Sequence, residues 1–257
     1  MLRGIDHIVI VVRDLAQASA DYERAGFTVT PGGEHTGGAT HNALISFADG
    51  AYLELIAFYR DNPQHRWWEP LQRGGGLVDF CLATDNLTAD TQAFRAAGVD
   101  IADPTGQSRV RPDGYQLCWV FSLARGPHRG VAPFLISDET PREERVPRAT
   151  DHANRVTGIE SVTIAVDDLV AVRRWYGGAL AAPGLDVRRP ELGGVGVRFA
   201  AGVHGLEFLT ARDGDGAVAR HLAERGPSPY AATLRAGAGV RGPLDPRSTM
   251  GARLTIG

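Results

Sequence analysis

Apolar residues follow two rhythms along this chain, and the alternation between them lays out its architecture. Residues 5–12 form a β-branched run bounded by Gly4 and Asp14, which reads as a buried strand because it is too short for a typical helix. From Leu15 the spacing changes to threes and fours through Ala18, Tyr22 and Ala25, which is one face of a helix. Asp14 is placed to cap its start and Gly26 to stop it. A short strand is expected at 27–30 and a loop over the glycine-rich 31–38. Strands at 43–47 and 51–58 follow, joined at Asp49-Gly50, a dipeptide favoured in tight hairpins. The unit is β-α-β-β-β.

The same order returns. A strand at 77–84, a cap at Asn86, a helix at 87–97 stopped by Gly98 and, after an irregular stretch, strands at 115–123 and 132–136 make a second copy. The third has its strand at 159–166, its cap at Asp168, its helix at 169–180 and strands at 185–188, 195–199 and 205–210. In the tail, 231–236 and 252–256 read as the first and last strands of a reduced fourth copy, its intervening helix missing or shrunken. Asp14, Asn86 and Asp168 each lie seven residues after a matched strand position, held by His7, Asp79 and Ser161. A repeat of this size marks structural duplication and an α+β class. The charged, proline-interrupted stretch after residue 137 separates the copies into pairs. The expected division is 1–137 (modules 1–60 and 76–137), a linker at 138–157, and 158–257.

Composition narrows the class of partner. With 257 residues and 43% apolar content the chain can bury a sizeable core. Its net charge of −3 and scattered arginines give no electrostatic footprint for nucleic acid. No apolar run approaches the roughly 18 residues of a membrane span, and the start lacks the regions of a signal peptide. A cytoplasmic protein with a small-molecule partner is expected, with a homodimer left open because no stretch specifies an interface. Cys81 and Cys118 lack metal-motif spacing and are expected as reduced core residues.

The opening Ile5-Asp6-His7-Ile8-Val9, the Asp14-Leu15 helix start and the closing Tyr52-Leu53-Glu54-Leu55 resemble the vicinal oxygen chelate superfamily, which includes glyoxalase I, extradiol dioxygenases, fosfomycin resistance proteins and bleomycin-binding proteins. Gly33-Glu34-His35, Asn42, Arg111-Pro112-Asp113-Gly114 and His152-Ala153-Asn154 are similar to its glyoxalase-like subgroup. The resemblance covers nearly the whole chain and implies repeated β-α-β-β-β modules paired into two cup-shaped mixed sheets, the fourth module reduced. It also implies a metal inside the first cup, with ligands drawn from His7, Glu54, Asp79 and the position matching Glu54 in the second copy. That position is Phe134, so a fourth ligand is missing. Asp79 stands where extradiol enzymes carry a second histidine, which disfavours ring cleavage.

The residues themselves support part of this. Side chains alternate along a strand, so His7 shares a face with Ile5 and Val9, and Glu54 with Tyr52 and Ile56. A carboxylate buried alone is costly unless it is paired or bound to a cation. One imidazole and two carboxylates, His7, Glu54 and Asp79, would suit Mn, Mg, Fe or Zn. Asn42, His35, His41, Trp67 and Arg111 are the expected substrate contacts, Trp67 with Trp68 as a lid. His152 and Asn154 could reach back from the linker. Two functions follow: a metal-dependent lyase or isomerase acting on a small vicinal-oxygen substrate, with His7 and Glu54 catalytic, or a metal-free protein that binds and sequesters a small molecule.

Overall fold

In the computed structural model, which describes residues 1–237 and 241–257, the β-branched opening run is strand β1 (Leu2–Val11), paired on both edges. Helix α1 (Leu15–Arg24) follows, its Asp14 side chain accepting a hydrogen bond from the Gln17 amide. Strands β2 (Thr30–His35), β3 (Thr40–Ser46) and β4 (Tyr52–Phe58) complete the first module. After short helix α2 (Trp68–Gln72), the second consists of β5 (Gly76–Thr84), α3 (Leu87–Ala96), β6 (Thr105–Val110), β7 (Gln116–Ser122) and β8 (Phe134–Asp138). These eight strands close into a barrel in the order β1-β4-β3-β2-β6-β7-β8-β5.

A short connection carrying α4 (Arg142–Arg145) leads to β9 (Val156–Ala165), α5 (Leu169–Leu180), β10 (Leu185–Arg189), β11 (Gly194–Ala201) and β12 (His204–Ala211). Helix α6 (Ala217–Arg225) then precedes β13 (Ser228–Ala236), β14 (Gly242–Pro243) and β15 (Leu254–Ile256). These strands form an open seven-stranded sheet, β10-β11-β12-β9-β13-β15-β14. The mixed α+β class and its reduced final module match the sequence reading. In every module the first and last strands are parallel neighbours: β1 with β4, β5 with β8, β9 with β12, β13 with β15.

Register fixes which positions correspond. Val9 pairs with Glu54, Cys81 with Phe134 and Thr163 with Glu207. Each first member lies two residues after His7, Asp79 or Ser161, so Phe134 and Glu207 do occupy the places of Glu54.

Alternation along β1 divides the molecule's interior in two. Ile8 and Ile10 join one large apolar core with Ile159, Val162 and Ile164 of β9, so the barrel's outer wall and the open sheet share a core. Val9 and Val11 face inward with Ile56, Cys81, Trp119 and Phe134. At about 25 cal/mol per Å2 of apolar surface removed from water, the shared core is the main reason the halves stay together. Among the described residues, no helix is long and apolar enough to cross a membrane.

Two local expectations change. The glycine-rich 31–38 was expected as loop, yet β2 runs through Pro31, Gly32 and Gly33 to His35. A Cβ on Gly32 would collide with the Asn42 amide oxygen and the Arg109 guanidinium; here glycine makes room for neighbours rather than a turn. The irregular stretch before residue 115 contains β6, whose contact with β2 closes the barrel. Of the cysteines, Cys81 is buried and Cys118 only partly so.

Candidate functional site

A cavity of about 190 Å3 opens in the barrel, and His7, Glu54, His35, Asn42, Trp67 and Arg109 are among the residues lining it. Its centre is Glu54. His7 Nε2 lies 3.3 Å from Glu54 Oε2, and His35 Nε2 lies 3.4 Å from Oε1. The Asn42 amide nitrogen donates to the same Oε1 at 2.5 Å. Burial pushes the carboxyl pKa up, but the His35 hydrogen bond, both imidazoles and Asn42 outweigh it and bring Glu54 down to about 2. It is ionised at neutral pH.

Each imidazole is held from behind. His7 Nδ1 contacts Asp6 Oδ1 at 2.7 Å, and His35 Nδ1 contacts Thr40 Oγ1 at 3.0 Å. A bulge between Ile5 and His7 in the pairing with β5 re-aims the backbone so that two consecutive side chains meet. Fixing one ring nitrogen directs the other, the arrangement that orients ligating or proton-carrying histidines. Tyr52 stacks on the His7 ring at 4.7 Å, and Phe134 meets it edge-on at 5.2 Å.

Asp6 is itself anchored. Arg145 donates to both its oxygens at 3.0 Å and to the Tyr52 hydroxyl at 2.7 Å, and Arg142 adds a further ion pair. Burial opposes ionisation of Asp6, but Arg145, His7 and Arg142 together hold its pKa well below the usual carboxylate range. The stretch expected as linker therefore supplies the cations that neutralise the base of the site.

His7, Glu54, His35, Asn42 and Trp67 come together as cavity lining. Asp79, expected as a metal ligand, does not line it. Its Oδ2 accepts from Arg66 Nη2 at 2.7 Å and Trp67 Nε1 at 3.0 Å, and its Oδ1 accepts from the Phe80 amide at 3.1 Å. An aspartate already satisfied by a guanidinium and two N–H donors has little left for an ion. His41 lies outside the cavity, stacked on Tyr59 at 4.2 Å. Arg111 is also outside, forked onto Asp113 and paired with Glu144. Trp68 packs against Phe58. His152 Nδ1 accepts from the Thr28 amide at 2.9 Å, and Asn154 donates to the Ala25 carbonyl at 2.9 Å; both dock the connection onto the outside of the barrel.

Arg109, Arg145 and Trp119 line the cavity without having been singled out. Arg109 sits in 105–110, a segment with too little apolar alternation to read as a strand. Arg145 lies in a solvated-looking charge run.

The donors fit a divalent ion in part. One carboxylate has an imidazole nitrogen within sharing distance on either side, and two imidazoles with one carboxylate are a common set for borderline metals. Among the described residues, the one group of three acidic, histidine or cysteine donors lying mutually within 4.8 Å is Asp6, His7 and Cys81. That group is the poorer candidate. Asp6 is taken by two arginines, and burial pushes the Cys81 thiol well above its usual range.

The sequence model of the glyoxalase-like domain matches residues 5–180. The chain belongs to the glyoxalase-like family. Among solved structures similar to this glyoxalase-like chain, a hypothetical protein from Staphylococcus aureus superposes with a TM-score of 0.74 at 13% identity, covering 100% of this chain and 99% of that one. A mutant of 4-hydroxymandelate synthase from Streptomyces coelicolor gives 0.66 at 14% identity, covering 91% and 71%. At these identities the likenesses show that the glyoxalase-like chain shares its fold with those proteins. No curated protein matches it in sequence.

Proposed function

We propose that this glyoxalase-like protein is a metal-dependent lyase or isomerase acting on a small vicinal-oxygen substrate in the barrel cavity. The observation that carries the reading is an ionised, buried Glu54 flanked by two imidazoles, each pinned at its far nitrogen. His7 and Glu54 would hold the ion. A divalent ion of the Mn, Mg, Fe or Zn kind supplies Lewis acidity toward a developing oxyanion.

The chain's own residues do the rest. Asp6 keeps the His7 ring turned so that Nε2 faces the cavity. His35 is partly exposed at the rim, and its Nε2 takes or returns the proton while Thr40 Oγ1 holds Nδ1. Asn42 fixes Glu54 in one rotamer through its 2.5 Å hydrogen bond. Trp119, Phe121 and Phe134 exclude water from the cavity wall. Asp79 is left out of the ligand set because Arg66 and Trp67 already satisfy it.

Elemental analysis of protein purified without chelator tests the proposal: near-stoichiometric metal is expected in wild type and its loss in His7→Ala. A metal-free wild type would end it. Phe134 in the fourth ligand place favours a second reading, a metal-free protein that sequesters a small ligand. Ligand quenching of tryptophan fluorescence that is indifferent to chelator, without turnover, would select that one.

A further inference from the structure

The arginines around the cavity are matched to carboxylates, with one exception. Arg145 has Asp6 and Asp138, Arg66 has Asp79, and outside the cavity Arg111 has Asp113 and Glu144. Arg109 is 3% exposed and forms no ion pair with any carboxylate among the described residues. Its Nη1 donates to Asn42 Oδ1 at 3.2 Å and its Nη2 to the Arg145 carbonyl at 3.2 Å. Both acceptors are neutral, and the guanidinium has N–H donors to spare.

This arrangement is costly as it stands. A guanidinium stays charged in a protein, and a buried charge without a partner is strongly unfavourable. Glu54 is near enough to favour the charge but makes no direct ion pair with it, because Asn42 stands between them, accepting from Arg109 and donating to Glu54. The placement is nevertheless built in. Arg109 lies directly across from His35 in the rung that closes the barrel, and the space it fills requires glycine at position 32.

We propose that Arg109 is the receptor for a carboxylate carried by the substrate, so that the protein's ligands are small monocarboxylates with a single-ring or branched apolar body. The inference rests on the barrel cavity being the functional site and adds the substrate's charge. Carboxylates take the planar guanidinium fork in a charge-assisted pair. Trp119, Phe121, Phe134 and Ile136 line the same cavity and accept the apolar body. At about 190 Å3 the cavity falls below the roughly 300–1,000 Å3 of drug-sized sites, which limits that body to about one ring. Bound in this way, the carboxylate lies one amide side chain from Glu54 and beside His35.

The test is a fluorescence titration using Trp67 and Trp119, both in the cavity wall, with phenylacetate and its neutral isostere phenylacetamide as probes. It is run in EDTA, so that failure of the metal reading leaves its outcome unchanged. Wild type is expected to bind phenylacetate about tenfold or more tightly than the amide. Arg109→Gln should level the two, and Arg109→Lys should retain part of the preference. Circular dichroism reports whether the variants fold; if Arg109→Gln does not, the acid-to-amide ratio in wild type and in Arg109→Lys decides. The proposal is overturned if wild type binds both probes equally, if it binds neither at millimolar concentration, or if folded Arg109→Gln keeps the preference.

Discussion

In the barrel, Glu54 pairs across from Val9 and meets two imidazoles and an amide. In the open sheet the matched Glu207 pairs across from Thr163 and meets the fork of Arg189, at 3.0 and 2.6 Å. The strand pairing is the same, but the chemistry left over differs. Glu207 is neutralised by its own chain, while Glu54 has partners that could share it with a ligand. The partner of the first strand position differs likewise, His7 backed by Asp6 in one half and Ser161 in the other. Closure adds to the contrast. The β2 and β6 rung that seals the barrel brings His35 and Arg109 to the cavity, whereas β10 ends the open sheet as an edge strand with no counterpart to β6 among the described residues.

The two halves should differ most at the base of the barrel site. Asp6→Asn removes the fully buried carboxylate shared by Arg145 and Arg142, leaving Asp138 as the remaining carboxylate on Arg145, and should cost about 3 kcal/mol of unfolding free energy by denaturant titration. Glu207→Gln leaves Arg189, 36% exposed, free to turn to solvent and should cost no more than about 1 kcal/mol. Equal losses would mean that the two carboxylates play equivalent roles.

A smaller effect is expected at the seam. In Gly32→Ala the new methyl meets Asn42 and Arg109 and should destabilise by about 1–3 kcal/mol with loss of ligand binding. Gly106→Ala in β6, where a Cβ meets nothing within 4 Å, should be near neutral. Thermal denaturation of both variants checks this.

Acid sensitivity should be modest and shared between the halves. Burial is the first cause that lowers His65, in the cavity wall, from 6.5 to about 4, and the same holds for His221 in α6. Each imidazole binds its proton more readily unfolded than folded, so the unfolded state gains protons first as pH falls. The imidazole part of the stability should therefore be lost as pH drops from about 6.5 to about 4, and below about 4.5 protonation of Glu54, whose folded pKa lies at about 2, should carry the loss further. His65→Gln and His221→Gln should each flatten part of that slope; unchanged slopes in both would contradict the assignment.

Much of this architecture was legible in the sequence because caps and alternation are local signals. Asp14, Asn86 and Asp168 each cap their helices through an amide three residues on, and the His7 and Glu54 positions meet as the matched strands implied. The rest depended on partners far along the chain. Gly32 looked like a loop breaker because nothing nearby in sequence reveals the Arg109 guanidinium that needs its missing side chain. Asp79 looked like a ligand because its strand position is right, and only the tertiary contacts of Arg66 and Trp67 show that it is satisfied. Arg145 lay in a charge run that reads as solvated until α4 folds against the barrel and buries it on Asp6.

The central claim is that the first module, and not its counterpart in the open sheet, holds a working site. An anomalous difference map from a crystal soaked in manganese tests it most directly. One strong peak is expected inside the barrel, bounded by His7 and Glu54, and none beside Glu207. A peak at Glu207, or no peak between His7 and Glu54, would contradict it.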